Sequence, residues 1–315
     1  MKSKTYFYYT KQIPKDLLLR NAEQYRQHTQ FDQPFFETHL NKSKEIFEQS
    51  LEGVSGKALI LGPGHFRDIP KPALANTFGN CTFVDIDDAG IQQWKTEYPC
   101  VEANTWVEDF TQRQASIIKK ITALKYTSPT SLLAHLTTLL KSESVLPTRD
   151  RFPDVSYDFI AAPVVLSQVS YIVQSFYYKL LPPNLLEELL NSNNSYEQGL
   201  VRDFDIAHKI LTTQLQQELV RWIARHLKPG GTLFLSTTPI VYEDQYKPHS
   251  QTILQTDKAV LVDILMLEKV IQPLFVAKSP AITWDWKLEP PCYENYWVQR
   301  RYIVQAQILQ KKYSN

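Results

Sequence analysis

Cysteine is scarce in this chain, with Cys81, Cys100 and Cys292 among 315 residues. Their spacing matches no zinc-ligand pattern, and an odd number of cysteines argues against a disulfide framework. We therefore expect no metal site and a reducing, cytoplasmic location.

Long apolar runs and an excess of charge are also missing. No stretch approaches the roughly 18 uncharged apolar residues that a membrane span needs, and no apolar core follows the first residues as it would in a signal peptide. The formal net charge is +1, so nucleic acid and anionic membranes are not favoured partners. A small molecule or a protein side chain therefore remains open as the binding partner.

The length of the chain favours one large domain with additions. Hydrophobic residues make up 43% of the sequence, enough for a sizeable core. We predict a helical cap over residues 1–52 and one α/β domain over 53–315. The intervals 111–155 and 168–205 exceed ordinary crossover lengths, which predicts structured insertions there.

Short apolar runs alternate with helical patterns along this domain. Strands are predicted at residues 57–62, 81–86, 105–107, 157–162 and 231–237. Apolar spacing predicts helices over about 206–227 and 256–271, and period-two alternation over 282–288 and 302–308 predicts a closing hairpin. Strands joined through helices imply a mostly parallel sheet with right-handed crossovers.

A glycine loop, Gly62-Pro63-Gly64, directly follows the first predicted strand. Glycine lets the backbone approach a ligand closely, and amides at the start of a helix favour a negative group. Such a loop also occurs in plain strand-to-helix turns, so by itself it does not identify a ligand.

Asp85 ends the second predicted strand, 21 residues after Gly64. A carboxylate at that separation is suited to accept hydrogen bonds from both hydroxyls of a ribose. Asp87 or Asp88 is expected to cap the helix that follows.

Two further strand ends point to the same edge of the sheet. Asp109 follows the third predicted strand and could accept a hydrogen bond from an adenine amino group, with Phe110 covering the ring, although an exposed acidic turn is the alternative. Ala162 and Pro163 put small residues beside the expected switch point of the sheet. Asp158 begins its strand and is interpreted as structural.

This ordered series, with Lys228-Pro229-Gly230-Gly231 before a strand, resembles the motif series of class I S-adenosylmethionine-dependent methyltransferases over about residues 55–310. The resemblance implies a doubly wound, mostly parallel seven-stranded sheet whose last strand is antiparallel. It also implies S-adenosylmethionine as the cofactor. By resemblance, Gly62 and Gly64 contact the methionine portion, Asp85 the ribose and Asp109 the adenine. The predicted cofactor site is completed by Pro63, Asp68, Ile86, Phe110, Ala162 and Pro163.

The sequence departs from the family pattern at three points. Ile60 stands where the family often has an acid, and Phe66 replaces the third glycine of the loop. Asp68 is assigned to the methionine ammonium as a compensation. The run Ala161-Ala162-Pro163-Val164 lacks the Asn/Asp-Pro-Pro-aromatic pattern of the amino-methylating branch, which disfavours that substrate class.

Methyl transfer is an in-line displacement that depends chiefly on alignment, and it needs a general base only if the acceptor must lose a proton. His208, Tyr242 and Glu243 are the candidate catalytic residues, and His208 could equally be a packing residue. Further candidates for contact with the acceptor are Tyr171, Trp284 and Tyr293.

Two other functions stay open at this point. A Gly-x-Gly loop with a later acid also suits a NAD-dependent oxidoreductase. A non-catalytic protein of methyltransferase fold could instead use its insertions as an interaction surface.

Overall fold

The computed structural model describes residues 33–107, 113–144, 155–169, 173, 177, 180–182, 184–246, 253–288 and 298–313. Its first elements are α1 (Gln33–Ser50), β1 (Lys57–Leu61), α2 (Lys71–Thr77), β2 (Asn80–Asp85), α3 (Ala89–Glu97), β3 (Glu102–Val107), α4 (Gln114–Thr122), α5 (Pro129–Glu143), β4 (Tyr157–Ala162) and α6 (Val165–Gln168). They are followed by α7 (Leu185–Leu190), α8 (Ser195–His226), β5 (Leu227–Tyr246), β6 (Ile253–Val260), α9 (Ile264–Leu274), β7 (Phe275–Ala277), β8 (Ile282–Leu288) and β9 (Val298–Lys311).

The strands form one sheet of order β3-β2-β1-β4-β5-β9-β7. Strands β1 to β5 pair in parallel, whereas β9 is antiparallel to β5, β7 and β8. This confirms the predicted mostly parallel sheet with an antiparallel last strand. The chain order reverses between β1 and β4, and open sheets of this kind bind ligands at the carboxyl ends of the strands there.

The sheet holds nine strands in the described residues, not the predicted seven. Strand β5 runs on past the tip of β4 and pairs there with β6. The edge beside β9 is divided into β7 and β8. One extra strand is therefore β6, which pairs with the extension of β5. The other arises because two strands, β7 and β8, lie beside β9 where one was predicted.

The helix predicted over 256–271 is wrong in its first part. Residues up to Val260 belong to β6, and the helix begins at Ile264. The side chain of Asp263 caps this start by accepting a hydrogen bond from the Met266 amide at 3.1 Å. Strand β5 supplies backbone partners to β6, a long-range effect that outweighs the local helical pattern.

Helices cover both faces of the sheet, as a doubly wound fold requires. The larger core lies under α4, α5, α8 and α9, with Leu136 and Leu215 among its buried residues. The smaller core lies under α1, α2 and α3, where Phe47, Phe159 and Phe234 meet. Helix α1 is the described part of the predicted cap. Within the described residues, no helix combines the length and the apolarity needed to cross a membrane.

Asp158 fastens the amino-terminal edge of the sheet. Its carboxylate accepts hydrogen bonds from Lys228 Nζ at 2.8 Å and from the Lys57 amide at 2.9 Å. Burial by itself would raise the pKa of Asp158, but these two bonds outweigh it and the pKa is lowered. The residue therefore joins β1, β4 and β5, as the structural interpretation expected.

Replacing this carboxylate should lower stability in a pH-dependent way. Asp158→Ala is expected to reduce the free energy of unfolding at pH 7 by about 1–2 kcal/mol, since a charged hydrogen-bond acceptor is lost. A lowered folded-state pKa means that the contribution is complete above about pH 5 and disappears as the pH falls through that pKa. Urea unfolding between pH 7 and pH 3 measures both effects.

Asp203 provides the control, because its ion pair with Lys141 at 3.1 Å is about half exposed at both partners. Asp203→Ala should change stability by less than about 0.5 kcal/mol. Equal effects of the two substitutions would contradict the role given to Asp158.

Candidate functional site

The glycine loop lies at the carboxyl end of β1, beside the point where the chain order reverses. Gly62 and Gly64 have φ values of +59° and +49°, a conformation that favours glycine. The Gly62 amide donates to Val84 O at 2.8 Å, which joins the loop to β2. A Cβ added to Gly64 would meet nothing within 4 Å, so the loop leaves open space at the position where a ligand could approach.

Asp85 reaches from the end of β2 back to this loop. Its Oδ2 accepts a hydrogen bond from the Gly64 amide at 2.8 Å, and its Oδ1 accepts one from the Asp87 amide at 3.1 Å. Burial raises the pKa of Asp85 to about 6, although the Gly64 amide opposes the shift. The structure therefore brings two of the sequence-predicted site residues into direct contact.

The helix after β2 begins as the sequence predicted. Asp87 Oδ1 accepts a hydrogen bond from the Ala89 amide at 3.0 Å, while Asp88 Oδ2 accepts one from Gln92 Nε2. Asp87 is thus the carboxylate that satisfies a backbone donor at the helix start.

Gly90 is a site residue that sequence reasoning missed. A Cβ at this position would lie 1.9 Å from Gly64 O. Helix α3 therefore packs directly against the glycine loop. The glycine gives no signal in the sequence, because its neighbour lies 26 positions earlier in the chain.

Phe66, which replaces the third glycine of the family pattern, keeps a glycine-like backbone with a φ of +56°. Its ring is buried and stacks on Trp94 with centroids 5.2 Å apart and an interplanar angle of 18°. It also meets the ring of Phe83 edge-on at 5.3 Å. The loop thus has an apolar anchor beneath it as well as the hydrogen bond to Asp85.

Asp68 follows in the same loop, at its border with α1. Burial raises the pKa of Asp68, and the charges of Lys44 and Arg67 oppose the shift. Burial, with Arg67 adding to it, lowers the pKa of His39 to about 4. Lys44 and His39 both belong to α1, which shares the smaller core with Phe66 and Ile69 of this loop.

The tip of β4 carries the predicted Ala162 and Pro163, both buried. Val164 follows with a φ of +55°, which is an outlier for a β-branched residue. Its amide donates to Ser236 Oγ at 3.0 Å, so β5 holds the strained turn in place. Strain of this kind is concentrated at functional sites, and sequence reasoning missed both Val164 and Ser236.

Trp284 packs against α1. Its Nε1 donates to His39 Nδ1 at 3.2 Å, and His39 stacks on Trp286 with centroids 4.2 Å apart. Because its indole N–H is engaged by His39, Trp284 serves to fasten α1 to β8 in this structure.

The three candidate catalytic residues lie on α8 and on β5. The ring of His208 has its Nδ1 2.7 Å from Tyr177 Oη, and burial lowers the pKa of His208. The ring of Tyr242 lies 4.6 Å from the Arg301 guanidinium. Glu243 pairs with Asp257 and Arg300 through the backbone, and its side chain is outside the described part of the structure. None of the contacts described for His208 or Tyr242 involves the glycine loop.

Other predicted residues lie outside the described residues: Asp109, Phe110, Tyr171 and Tyr293. The assignment of Asp109 and Phe110 to an adenine therefore stays a prediction. Ile86, directly after Asp85, is half-buried. Where the structure describes the chain, no group of three or more His, Cys, Asp or Glu side chains could hold a metal ion.

Neither a family profile nor a curated protein sequence matches the chain. Solved structures resemble it at low identity. The N-methyltransferase NodS from Bradyrhizobium japonicum WM9, in complex with S-adenosyl-L-homocysteine, is 9% identical, with 88% of each chain covered and a TM-score of 0.39. The YcgJ protein from Bacillus subtilis is 10% identical, over 87% of this chain and 100% of YcgJ, with a TM-score of 0.43.

An S-adenosylmethionine-dependent methyltransferase from Clostridium acetobutylicum ATCC 824 is 9% identical, over 86% of this chain and 92% of its own, with a TM-score of 0.39. Likeness at these values assigns no activity. The sheet itself, with β1 to β5 parallel and β9 antiparallel between β5 and β7, is doubly wound and Rossmann-like. This confirms the fold class predicted from the sequence.

The contact between α3 and the loop can be tested by adding one methyl group. Gly90→Ala should lower the free energy of unfolding by about 1–3 kcal/mol, because the new Cβ must displace backbone and not a flexible side chain. Urea unfolding gives the value.

Gly199, inside α8, is the matched control, because a Cβ there meets nothing within 4 Å. Gly199→Ala should raise stability by up to about 1 kcal/mol through helix propensity. A Gly90→Ala protein as stable as the wild type would show that α3 does not pack on the loop.

Proposed function

We propose that this chain binds S-adenosylmethionine at the carboxyl edge of β1, β2 and β4 and transfers its methyl group to a small organic molecule. The observation that carries the proposal is the 2.8 Å hydrogen bond from the Gly64 amide to Asp85. It puts an open glycine loop and a strand-end carboxylate side by side where the chain order of the sheet reverses, the place where such folds bind nucleosides.

The residues present fit this cofactor. Open space beside Gly64 admits a ligand close to the backbone. The Asp85 carboxylate accepts hydrogen bonds from the amides of Gly64, Asp87 and Ile86, which leaves about one of its roughly four lone-pair sites for a ribose hydroxyl. We assign Asp68, in the same loop, to the methionine ammonium; burial raises the pKa of Asp68, and the charges of Lys44 and Arg67 oppose that shift.

Bound S-adenosylmethionine would supply a methyl group that its sulfonium charge already activates. The chain has then to hold the donor and acceptor in line, which can account for most of the rate. The loop and Asp85 would fix the nucleoside end, and Ala162 and Pro163 would keep the tip of β4 free of bulky side chains. If the acceptor must lose a proton, His208, Tyr242 and Glu243 stay the candidates for the base.

One feature favours a small acceptor over nucleic acid. The chain has a formal net charge of only +1, which offers little attraction for a polyanion.

Thermal unfolding with two ligands tests the proposal. S-adenosylhomocysteine at a hundredfold excess over its Kd should raise the Tm by about 5 °C or more, since binding to the folded state alone stabilises it. NADH should leave the Tm unchanged. A shift with NADH alone would instead favour an oxidoreductase, and no shift with either ligand would favour a non-catalytic protein of this fold.

Asp85→Ala should weaken the binding of S-adenosylhomocysteine more than tenfold while the protein stays folded. The expected loss exceeds about 1.4 kcal/mol, because a charged acceptor of a ribose hydroxyl hydrogen bond is removed. Titration calorimetry gives the Kd, and circular dichroism verifies the fold.

Asp88→Ala is the control, since Asp88 lies three residues away and its carboxylate bonds Gln92 on the outside of α3. It should change the Kd less than about threefold, a difference of about 0.7 kcal/mol. Unchanged affinity in Asp85→Ala would remove the ribose assignment.

A further inference from the structure

Phe66 unites two features that rarely occur together. Its backbone is left-handed, with a φ of +56°, while its side chain is 3% exposed. Residues with a Cβ are disfavoured in this conformation, and they keep it only when their surroundings enforce it. The contacts of the ring therefore show what holds the loop in its shape.

Three rings form a closed set, called the aromatic triangle: Phe66, Phe83 and Trp94. Phe66 stacks on Trp94 at 5.2 Å and meets Phe83 edge-on at 5.3 Å. Phe83 and Trp94 also meet each other, with centroids 5.3 Å apart and an interplanar angle of 61°. All three side chains are buried, so the triangle is a rigid piece of core directly under the loop.

Each corner of the triangle belongs to an element that touches Gly64. Phe83 lies on β2, two residues before Asp85, which accepts the hydrogen bond from the Gly64 amide. Trp94 lies on α3, four residues after Gly90, which packs against Gly64 O. Phe66 itself lies two residues after Gly64, and its amide donates to Pro63 O at 2.8 Å.

We propose that Phe66 is a positioning residue for the cofactor site. Its ring fixes the loop to β2 and α3, and this keeps Gly62 and Gly64 at positive φ with the Gly64 amide directed at Asp85. Phe66 acts on the cofactor only through the loop. The inference rests on the proposed function, and it assigns an anchoring role to the residue that breaks the glycine pattern.

The experiment compares Phe66 with Phe78, a second ring of the same core. Phe78 is 1% exposed and stacks on Phe159 at 5.4 Å, at the end of α2. The variants are Phe66→Ala, Phe66→Gly and Phe78→Ala. Three measurements are made on each full-length protein: the urea midpoint, hydrogen exchange over residues 62–68 without ligand, and the Kd for S-adenosylhomocysteine.

We expect Phe66→Ala and Phe78→Ala to lower the urea midpoint by comparable amounts. Only Phe66→Ala should speed exchange over residues 62–68, by about tenfold or more, and weaken S-adenosylhomocysteine binding by about tenfold or more. Phe66→Gly should have a higher midpoint than Phe66→Ala, because glycine relieves the left-handed backbone. At most other positions the glycine variant would be less stable than the alanine variant.

Phe66→Leu covers the case in which Phe66→Ala does not fold. Leucine keeps most of the apolar volume but loses the planar stacking, so about threefold faster exchange and about threefold weaker binding are expected. Equal exchange over 62–68 in the Phe66 and Phe78 variants would overturn the positioning role. If the wild type itself does not bind S-adenosylhomocysteine, the proposed function is overturned, and exchange alone then decides whether Phe66 orders the loop.

Discussion

The hydrogen bond from the Gly64 amide to the Asp85 carboxylate is the contact on which the site depends. It joins the ends of β1 and β2 across the sheet, and the carboxylate is buried enough for its pKa to rise to about 6. A buried charge of this kind is tolerated only because backbone amides bond to it. Everything proposed for the cofactor follows from the placement of this one carboxylate beside an open loop.

Much of this arrangement could be predicted from the sequence, because the order and direction of the strands determine which strand ends meet. Parallel strands end at one edge of a sheet, so the spacing between Gly64 and Asp85 was sufficient to predict that they would lie close together. The closing hairpin of β8 and β9 was likewise visible as period-two alternation. A local pattern of this type predicts the correct element when the strand pairing in the sheet agrees with it.

The rest depends on contacts between distant parts of the chain, which no local pattern records. Gly90 matters because Gly64 O lies against it, and Ser236 matters because the Val164 amide donates to it. The helix predicted from residue 256 overlaps the second half of β6, because the partner of β6, the extension of β5, is set by tertiary pairing. The sequence shows only that Phe66 replaces a glycine. The structure shows that its backbone has a positive φ, as a glycine would, and that its ring packs on Phe83 and Trp94.

Strand β5 has a consequence for how parts of the sheet can move. It pairs with β4 along its first part and with β6 along its last, and β9 pairs with both parts along its other edge. The segments beside β4 and β6 are therefore one continuous piece of sheet, which resists hinge-like bending between them. Helix α1 differs, because it rests on the sheet through side chains, His39 against Trp284 and Trp286 and Phe47 against Phe159 and Phe234, and could shift without breaking a ladder of backbone bonds.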